Sequence, residues 1–149
     1  MAAGTWLIYG KAKKYLGTGT IVLNSGVFKM CLLRTSASVL NISALSSRST
    51  WASLKATGVS LLGTCYPQSG KLLATSAASW VSVSAKKMKF FHPALIFTAS
   101  GASLKNIRYA LIRTSTAADA GRLLCYCSLS TAAFSIVTPN TLTISCDAT

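Results

Sequence analysis

The sequence predicts an all-β fold, mainly antiparallel, built as a β-sandwich or barrel of roughly eight to ten short strands with a short N-terminal helix. Short apolar runs recur along the chain, and Gly, Pro, Asn and Ser turn signals separate them. These runs do not alternate with long helical patterns, which argues against a parallel sheet with crossover helices. Hydrophobic residues make up 51% of the 149 residues, enough for one core, so we expect a single β-rich domain over residues 1–149.

The N-terminal region predicts a helix and then a hairpin. The segment "TWLIYGKAKKYLGTG" predicts a short helix over residues 5–16, ended by Gly17. The runs "TIVLN" (20–24) and "VFKMCLLR" (27–34) flank "NSG". Because Asn and Gly tolerate the positive φ angles of tight turns, the two runs predict a β-hairpin.

The middle of the chain predicts a long connection and then regularly spaced strands. The Ser-rich segment "TSASVLNISALSSRSTWASLKATG" holds no steady period, and a helical turn is expected near "NISALSSR" or "STWASLKA". The strands predicted after it are "VSLLGTCYP", "GKLLATS", "SWVSVSAKKMKFF", "ALIFTASG", "SLKNIRYALIRTS", "GRLLCYCSLS", "AAFSIVTP" and "NTLTISCD".

Side chains suited to acid–base catalysis are scarce. The chain offers Asp119, Asp147 and His92. Asp119 lies in the turn-like "TAADAG", where Asp usually bonds its own backbone, and His92 precedes Pro93, which favours an extended strand end. The sequence contains no GxxxxGK[ST], GxGxxG, HExxH or GxSxG motif. We therefore expect no enzyme and no cofactor.

The cysteines predict buried thiols rather than a metal site. Cys125 and Cys127 form a C-x-C on a predicted strand and so point to one face. They could supply two ligands, but no further Cys or His follows at a zinc-site spacing. An odd number of cysteines without a secretory signal favours reduced, mostly buried thiols. The five are Cys31, Cys65, Cys125, Cys127 and Cys146.

Neither a signal peptide nor a membrane span is expected. The N-terminal charges follow a very short apolar run, unlike the order in a signal peptide. The longest uncharged stretch, 123–146, is interrupted by "STAA" and "TPNT" and carries several hydroxyl residues. The chain is therefore expected not to enter a membrane.

Charge is the most informative functional signal. Lys and Arg total 15 against two acidic residues, a formal net charge of +13. Cations also lie close to aromatic residues in the sequence, a combination that phosphate-backbone binding uses. Surface lysines can equally prevent exposed strand edges from pairing with other chains. They can also contact an acidic protein face. The predicted partner contacts are Lys11, Lys13, Lys14, Lys86, Lys87 and Lys89, with Tyr15, Phe90 or Phe91 available for stacking, and the spaced cations are Arg34, Arg108, Arg113 and Arg122.

Two separated stretches carry a family resemblance. The segment "YGKAKKYLGTGTIVLNSGVFKMCLLRTSAS" resembles the opening of a group of small tailed-bacteriophage virion proteins, and "SLKNIRYALIRTSTAADAGRLLCYCSLS" with "FSIVTPNTLTI" resembles their ending. In order and spacing the resemblance covers roughly residues 9–146. Those proteins tend to be acidic and to carry Asp where this chain has Asn24, Ser25, Arg113 and Ser128.

The resemblance implies a structural component of a phage particle, assembled in the host cytoplasm and located in the virion. A capsid decoration or cement protein is expected, contacting the major capsid protein or other virion proteins and forming a homo-oligomer, with a trimer as the expected state. A tail, baseplate or head-to-tail connector component is the alternative. A basic nucleic-acid-binding module is a second alternative, which predicts a steep salt dependence of binding.

Overall fold

The computed structural model confirms an all-β fold in which every strand pairing is antiparallel. The structure describes residues 4–23, 26–34, 49–55, 69–73, 79–84, 87–115 and 120–145. Within these ranges lie ten strands and two short helices. The helices are α1 (Gly10–Gly17) and α2 (Trp51–Lys55). The strands are β1 (Leu7–Ile8), β2 (Phe28–Arg34), β3 (Lys71–Leu72), β4 (Ser79–Ser84), β5 (Lys87–Phe91), β6 (Leu95–Thr98), β7 (Leu104–Thr114), β8 (Leu123–Ser128), β9 (Phe134–Ile136) and β10 (Thr141–Ile144).

The larger sheet has the strand order β1-β8-β7-β2-β3, and β9 also pairs with β7. The 11-residue β7 is its central strand. Tyr109 of β7 pairs with β2 on one side and with β8 on the other, and Ile107 likewise pairs with β2 and with β9. Strands β8 and β9 therefore follow one another along the same side of β7.

The centre of this sheet is buried on both faces. Neighbouring residues of β7, from Ala110 to Arg113, are all buried, although successive strand residues point to opposite faces. The same holds for residues Met30 to Leu33 of β2. Nearly continuous apolar runs in these two strands reflect this double burial, because neither face of the sheet centre meets water.

Two smaller sheets complete the described structure. Strands β4 and β5 pair as a hairpin, and β6 pairs with β10. In β6, buried Leu95 and Phe97 alternate with exposed Ile96 and Thr98. The buried residues of β6 and β10 belong to the same hydrophobic cluster as those of the larger sheet.

The N-terminal expectations were partly wrong. The predicted helix over 5–16 begins only at Gly10, because Leu7 and Ile8 pair with β8 as an edge strand. The predicted hairpin of 20–24 with 27–34 does not form through the described residues, since β2 pairs with β7 and β3 and residues 20–23 are not a strand.

Further along the chain the agreement is closer. The helical turn expected in "STWASLKA" is α2. The run "SWVSVSAKKMKFF", which predicts one strand, forms two paired strands, β4 and β5. The segments "NISALSSR" (41–48) and "VSLLGTCYP" (59–67) lie outside the described residues.

Candidate functional site

Helix α1 presents the N-terminal lysine cluster. Tyr9 is extended ahead of the helix, and its carbonyl accepts hydrogen bonds from the amides of Ala12 at 3.0 Å and Lys13 at 3.4 Å. At the other end, the Thr18 amide and hydroxyl donate to the Lys14 carbonyl at 2.9 and 3.0 Å. Ala12 is fully buried, and this small side chain lets the helix lie close to the core.

The outward face of α1 consists of lysines. Lys11, Lys13 and Lys14 are all exposed, with Lys14 in the last turn and no acidic residue in the first. Because successive helix residues are about 100° apart, Lys14 lies between the other two, opposite buried Ala12. A cation near a helix N-terminus opposes the helix dipole, so helix stability does not explain Lys11.

Arg122 adjoins this face. Its guanidinium carbon lies 4.3 Å from the ring centroid of Tyr15, one helical turn after Lys11. The Arg122 amide donates to the Thr114 hydroxyl at 2.9 Å, which fixes the residue where β7 ends and β8 begins. Together Lys11, Lys13, Lys14 and Arg122 form the α1 basic patch.

Two members of the second predicted lysine cluster, Lys87 and Lys89, lie on β5. Lys87 pairs with Ser84 and Lys89 pairs with Val81 in the β4–β5 hairpin. Lys86 lies outside the described residues. Partner contact by these lysines stays a prediction.

The spaced arginines have different surroundings. The expectation that they lie beside aromatic rings is met by Arg108 over Tyr109 at 5.3 Å and by Arg113 over Trp51 at 5.2 Å, as well as by Arg122. Arg113, however, is only 1% exposed and is not a surface cation. Its burial corrects the sequence interpretation, which grouped Arg113 with the cations available for binding a phosphate backbone.

Arg113 lies in a close-packed corner of the larger sheet. Its Nη2 donates to the Ser69 carbonyl at 2.6 Å and its Nη1 to the Thr114 carbonyl at 3.2 Å. The Trp51 amide donates to the Gly121 carbonyl at 2.7 Å, which holds α2 against this corner. A Cβ added to Gly121 would lie 2.5 Å from the backbone carbonyl oxygen of Thr114 and would also meet Arg113 Nη1, so the close approach requires glycine.

His92 is a buried strand-end residue, as the sequence predicts. It is 2% exposed and follows β5, and its Nδ1 lies 2.8 Å from the Pro93 carbonyl oxygen. Its Nε2 is buried without a hydrogen-bond partner. Asp119 and Asp147, the other acid–base candidates of the sequence, lie outside the described residues.

The described thiols are mainly buried. Cys31 and Cys127 are buried, whereas Cys125 is partly exposed; Cys65 and Cys146 lie outside the described ranges. Burial raises the pKa of the Cys127 thiol to about 12, against a smaller opposing contribution from a backbone hydrogen bond with Ala110. A thiol held protonated in this way is a poor nucleophile and a poor metal ligand.

Metal-ligand clusters and membrane-spanning helices are both absent from the described ranges. In that part of the chain, no three His, Cys, Asp or Glu side chains come together as a metal site. Nor does it contain a helix long and apolar enough to cross a bilayer.

Comparisons with protein-family models, with curated proteins and with solved structures find no match to this chain.

Proposed function

We propose that this chain is a non-enzymatic structural protein of a bacteriophage virion, a decoration or cement protein that stabilises the head through noncovalent contacts with major capsid subunits. One observation carries the proposal. The two stretches that resemble small phage virion proteins lie far apart in sequence but supply adjacent central strands, β2 from the first and β7 and β8 from the second. The resemblance therefore involves the strands that build the core of the sheet.

The α1 basic patch is the proposed contact with the capsid. Its lysines are exposed, and Lys11 stands where a cation disfavours the helix, so a role in binding explains it better than a role in folding. An acidic capsid face would attract this patch and orient the protein. Buried contact area, rather than any single ion pair, would supply most of the affinity.

The first test is the copy number of the chain in purified phage particles, measured by quantitative mass spectrometry against the major capsid protein. A ratio near one or one-third is expected for a protein bound throughout the capsid lattice. A ratio of a few per cent would instead support a tail, baseplate or connector component. Absence from the particle would overturn the virion proposal.

The second test addresses the binding surface. We expect Lys14→Glu to weaken low-salt binding to particles lacking the protein by about tenfold, because it reverses the central charge of the patch. Lys105→Glu, an equal charge reversal at an exposed residue of β7, is the matched control. Equal affinities for the two variants would exclude the α1 basic patch as the contact.

A nucleic-acid-binding module is the second candidate, and the patch itself favours it. Lysines beside Tyr15 and the stacked guanidinium of Arg122 combine phosphate-binding cations with an aromatic ring. This candidate predicts tight low-salt binding of a single-stranded oligonucleotide, a steep loss of affinity with salt, and weakening by Lys14→Glu. Oligonucleotide binding without particle binding would favour it over the capsid role.

The proposed oligomer is a trimer, because symmetric association multiplies contact area on a symmetric shell. Sedimentation equilibrium of the purified chain gives its mass directly. A concentration-independent monomer would contradict self-association in free solution.

A further inference from the structure

The two edges of the larger sheet carry different side chains. Within the described residues, β1 pairs only with β8, and β3 pairs only with β2. The β3 edge carries Lys71, whose Nζ donates to the Ile96 carbonyl of β6 at 2.6 Å. The β1 edge carries no charge, because residues 4–10 read "GTWLIYG" in a chain with 15 cations. Charged side chains commonly protect strand edges from pairing, and β1 lacks this protection.

Both residues of β1 are large, apolar and exposed. Leu7 is 44% exposed and Ile8 is 51% exposed. Successive strand residues point to opposite faces, so this edge exposes one apolar side chain on each face of the sheet. A strand added beside β1 would cover both side chains through cross-strand contacts.

The backbone of Ile8 is directed towards the outer side of β1. The Tyr9 amide donates to the Leu124 carbonyl at 3.1 Å, and Ile8 is paired with Cys125 one position earlier. Hydrogen-bonded and non-hydrogen-bonded pairs alternate along an antiparallel ladder, so the N–H and C=O of Ile8 point away from β8. By the same alternation, the N–H and C=O of Leu7 point towards β8. Ile8 therefore directs one donor and one acceptor to the side where a further strand would add.

The α1 basic patch lies at the C-terminal end of β1. Lys11 follows Ile8 by three residues, and Arg122 directly precedes β8. The start of β8 is at this end of β1, because Leu124 bonds Tyr9. An extended segment beside β1 would therefore meet these cations at one of its ends.

We propose that β1 is the docking edge for an extended, acidic segment of a partner protein, which adds a strand to the larger sheet. The segment runs antiparallel to β1, as in every described pairing of this structure. Its acidic residues precede its apolar strand residues, because the N-terminal end of an antiparallel neighbour lies beside α1. Since β1 is only two residues long, apolar contact and charge attraction supply most of the affinity. The inference rests on the proposed partner contact by the α1 basic patch and specifies the shape of that partner.

The experiment measures binding of two synthetic peptides to the full chain by fluorescence anisotropy at low salt. One peptide is Glu-Glu-Glu followed by Thr-Val-Thr-Val-Thr, and the other has the same two blocks in reverse order. We expect the first to bind about fivefold more tightly, because only its charges reach the α1 basic patch in the antiparallel arrangement. Equal affinities would overturn the directed strand addition.

Amide hydrogen exchange followed by NMR tests for the added strand itself. The first peptide should slow exchange of the Ile8 amide about tenfold and leave the Leu7 amide, which already points towards β8, little changed. Unchanged exchange at Ile8 in the peptide-saturated protein would contradict a new ladder on β1.

A pair of matched substitutions tests the apolar contact. Ile8→Thr keeps a β-branched side chain but removes apolar area, and should weaken binding of the first peptide about fivefold. Ile96→Thr makes the same change at a similarly exposed isoleucine of β6 and should leave binding unchanged. Equal effects of the two substitutions would count against docking at β1.

Failure of this inference is distinguishable from failure of the proposed function. If Lys14→Glu weakens particle binding while Ile8→Thr and peptide order have no effect, the capsid contact stands and strand addition at β1 is wrong. If the chain is absent from particles but the first peptide slows exchange at Ile8, the edge binds an acidic segment of a protein other than the capsid.

Discussion

Two arginine–aromatic pairs stand at the same end of the β7–β8 ladder in opposite surroundings. Arg113 lies over Trp51 in a buried corner, whereas Arg122 lies over Tyr15 beside the exposed lysines of α1. A cation–π contact gains about 0.5–1 kcal/mol when exposed and about 2 kcal/mol or more when desolvated. Burial, rather than charge or residue type, therefore decides whether a cation here packs into the core or stays beside solvent.

Truncating the two rings should produce the largest contrast. We expect Trp51→Ala to lower the free energy of unfolding by about 3–5 kcal/mol, because it empties a large buried volume beside Arg113. Tyr15→Ala, at the partly buried pair, should cost about 1 kcal/mol. Urea unfolding followed by far-ultraviolet circular dichroism measures both, and equal losses would contradict the contrast.

Adding one methyl group to a glycine in each region is the next test. Gly121→Ala should lower the free energy of unfolding by about 2 kcal/mol, because its Cβ would collide with Arg113 Nη1 and with the Thr114 carbonyl oxygen. Gly17→Ala at the end of α1 meets no atom within 4 Å. It should leave stability unchanged or raise it by up to about 1 kcal/mol. A destabilising Gly17→Ala would show that α1 is packed more tightly than described.

Titration tests burial at the centre of the sheet. Burial raises the pKa of Cys127 from its ordinary 9.0 to about 12. Burial also raises the pKa of Tyr9, and the nearby Tyr126 raises it further. Above pH 9 the unfolded thiol loses its proton while the folded thiol keeps it. Stability is therefore full below pH 9 and falls towards pH 12, by up to about 1.4 kcal/mol per pH unit for each group.

Urea unfolding between pH 8 and pH 11 measures this slope. Cys127→Ala should flatten it relative to the wild type. An identical slope in Cys127→Ala would mean that the thiol contributes nothing to the alkaline loss.

The smallest expected effect is at the surface. Replacing Lys11, Lys13 and Lys14 together by Gln should change the free energy of unfolding by no more than about 0.5 kcal/mol. The direction should be stabilising, because Lys11 and Lys14 repel each other one turn apart and Lys11 opposes the helix dipole. A loss above about 1 kcal/mol in urea unfolding would assign these lysines a structural role.

The sequence predicted the fold class and the later strands because their apolar runs and turn signals are local. Strands β6 to β10 all lie within runs that the pattern identified. The error at "TIVLN" arose because the partner of β2 is β7, much later in the chain, and a local turn signal does not report a distant pairing. Likewise, the segment "TWLI" gives no local indication that Leu7 and Ile8 pair with β8.

The candidate sites also differ in whether a local sequence pattern or a set of distant contacts produces them. The α1 lysines were identifiable because a dense run of cations in a short segment indicates an exposed face, as observed for Lys11, Lys13 and Lys14. The burial of Arg113 was not identifiable from the sequence. It depends on Ser69, Gly121 and Trp51, which only the folded chain brings together. One available signal was its position within "RYALIRT", where apolar residues surround it.

Because β2 pairs with β7, the larger sheet cannot form during synthesis until a much later part of the chain has been made. Phe28 finds its neighbour only when Thr114 has been synthesised, and β8 must follow before the sheet centre is covered. At ordinary elongation rates this takes on the order of ten seconds. The local β4–β5 hairpin needs no such delay. During that interval the apolar β2 segment lacks its partner strand β7 and is an available target for chaperones.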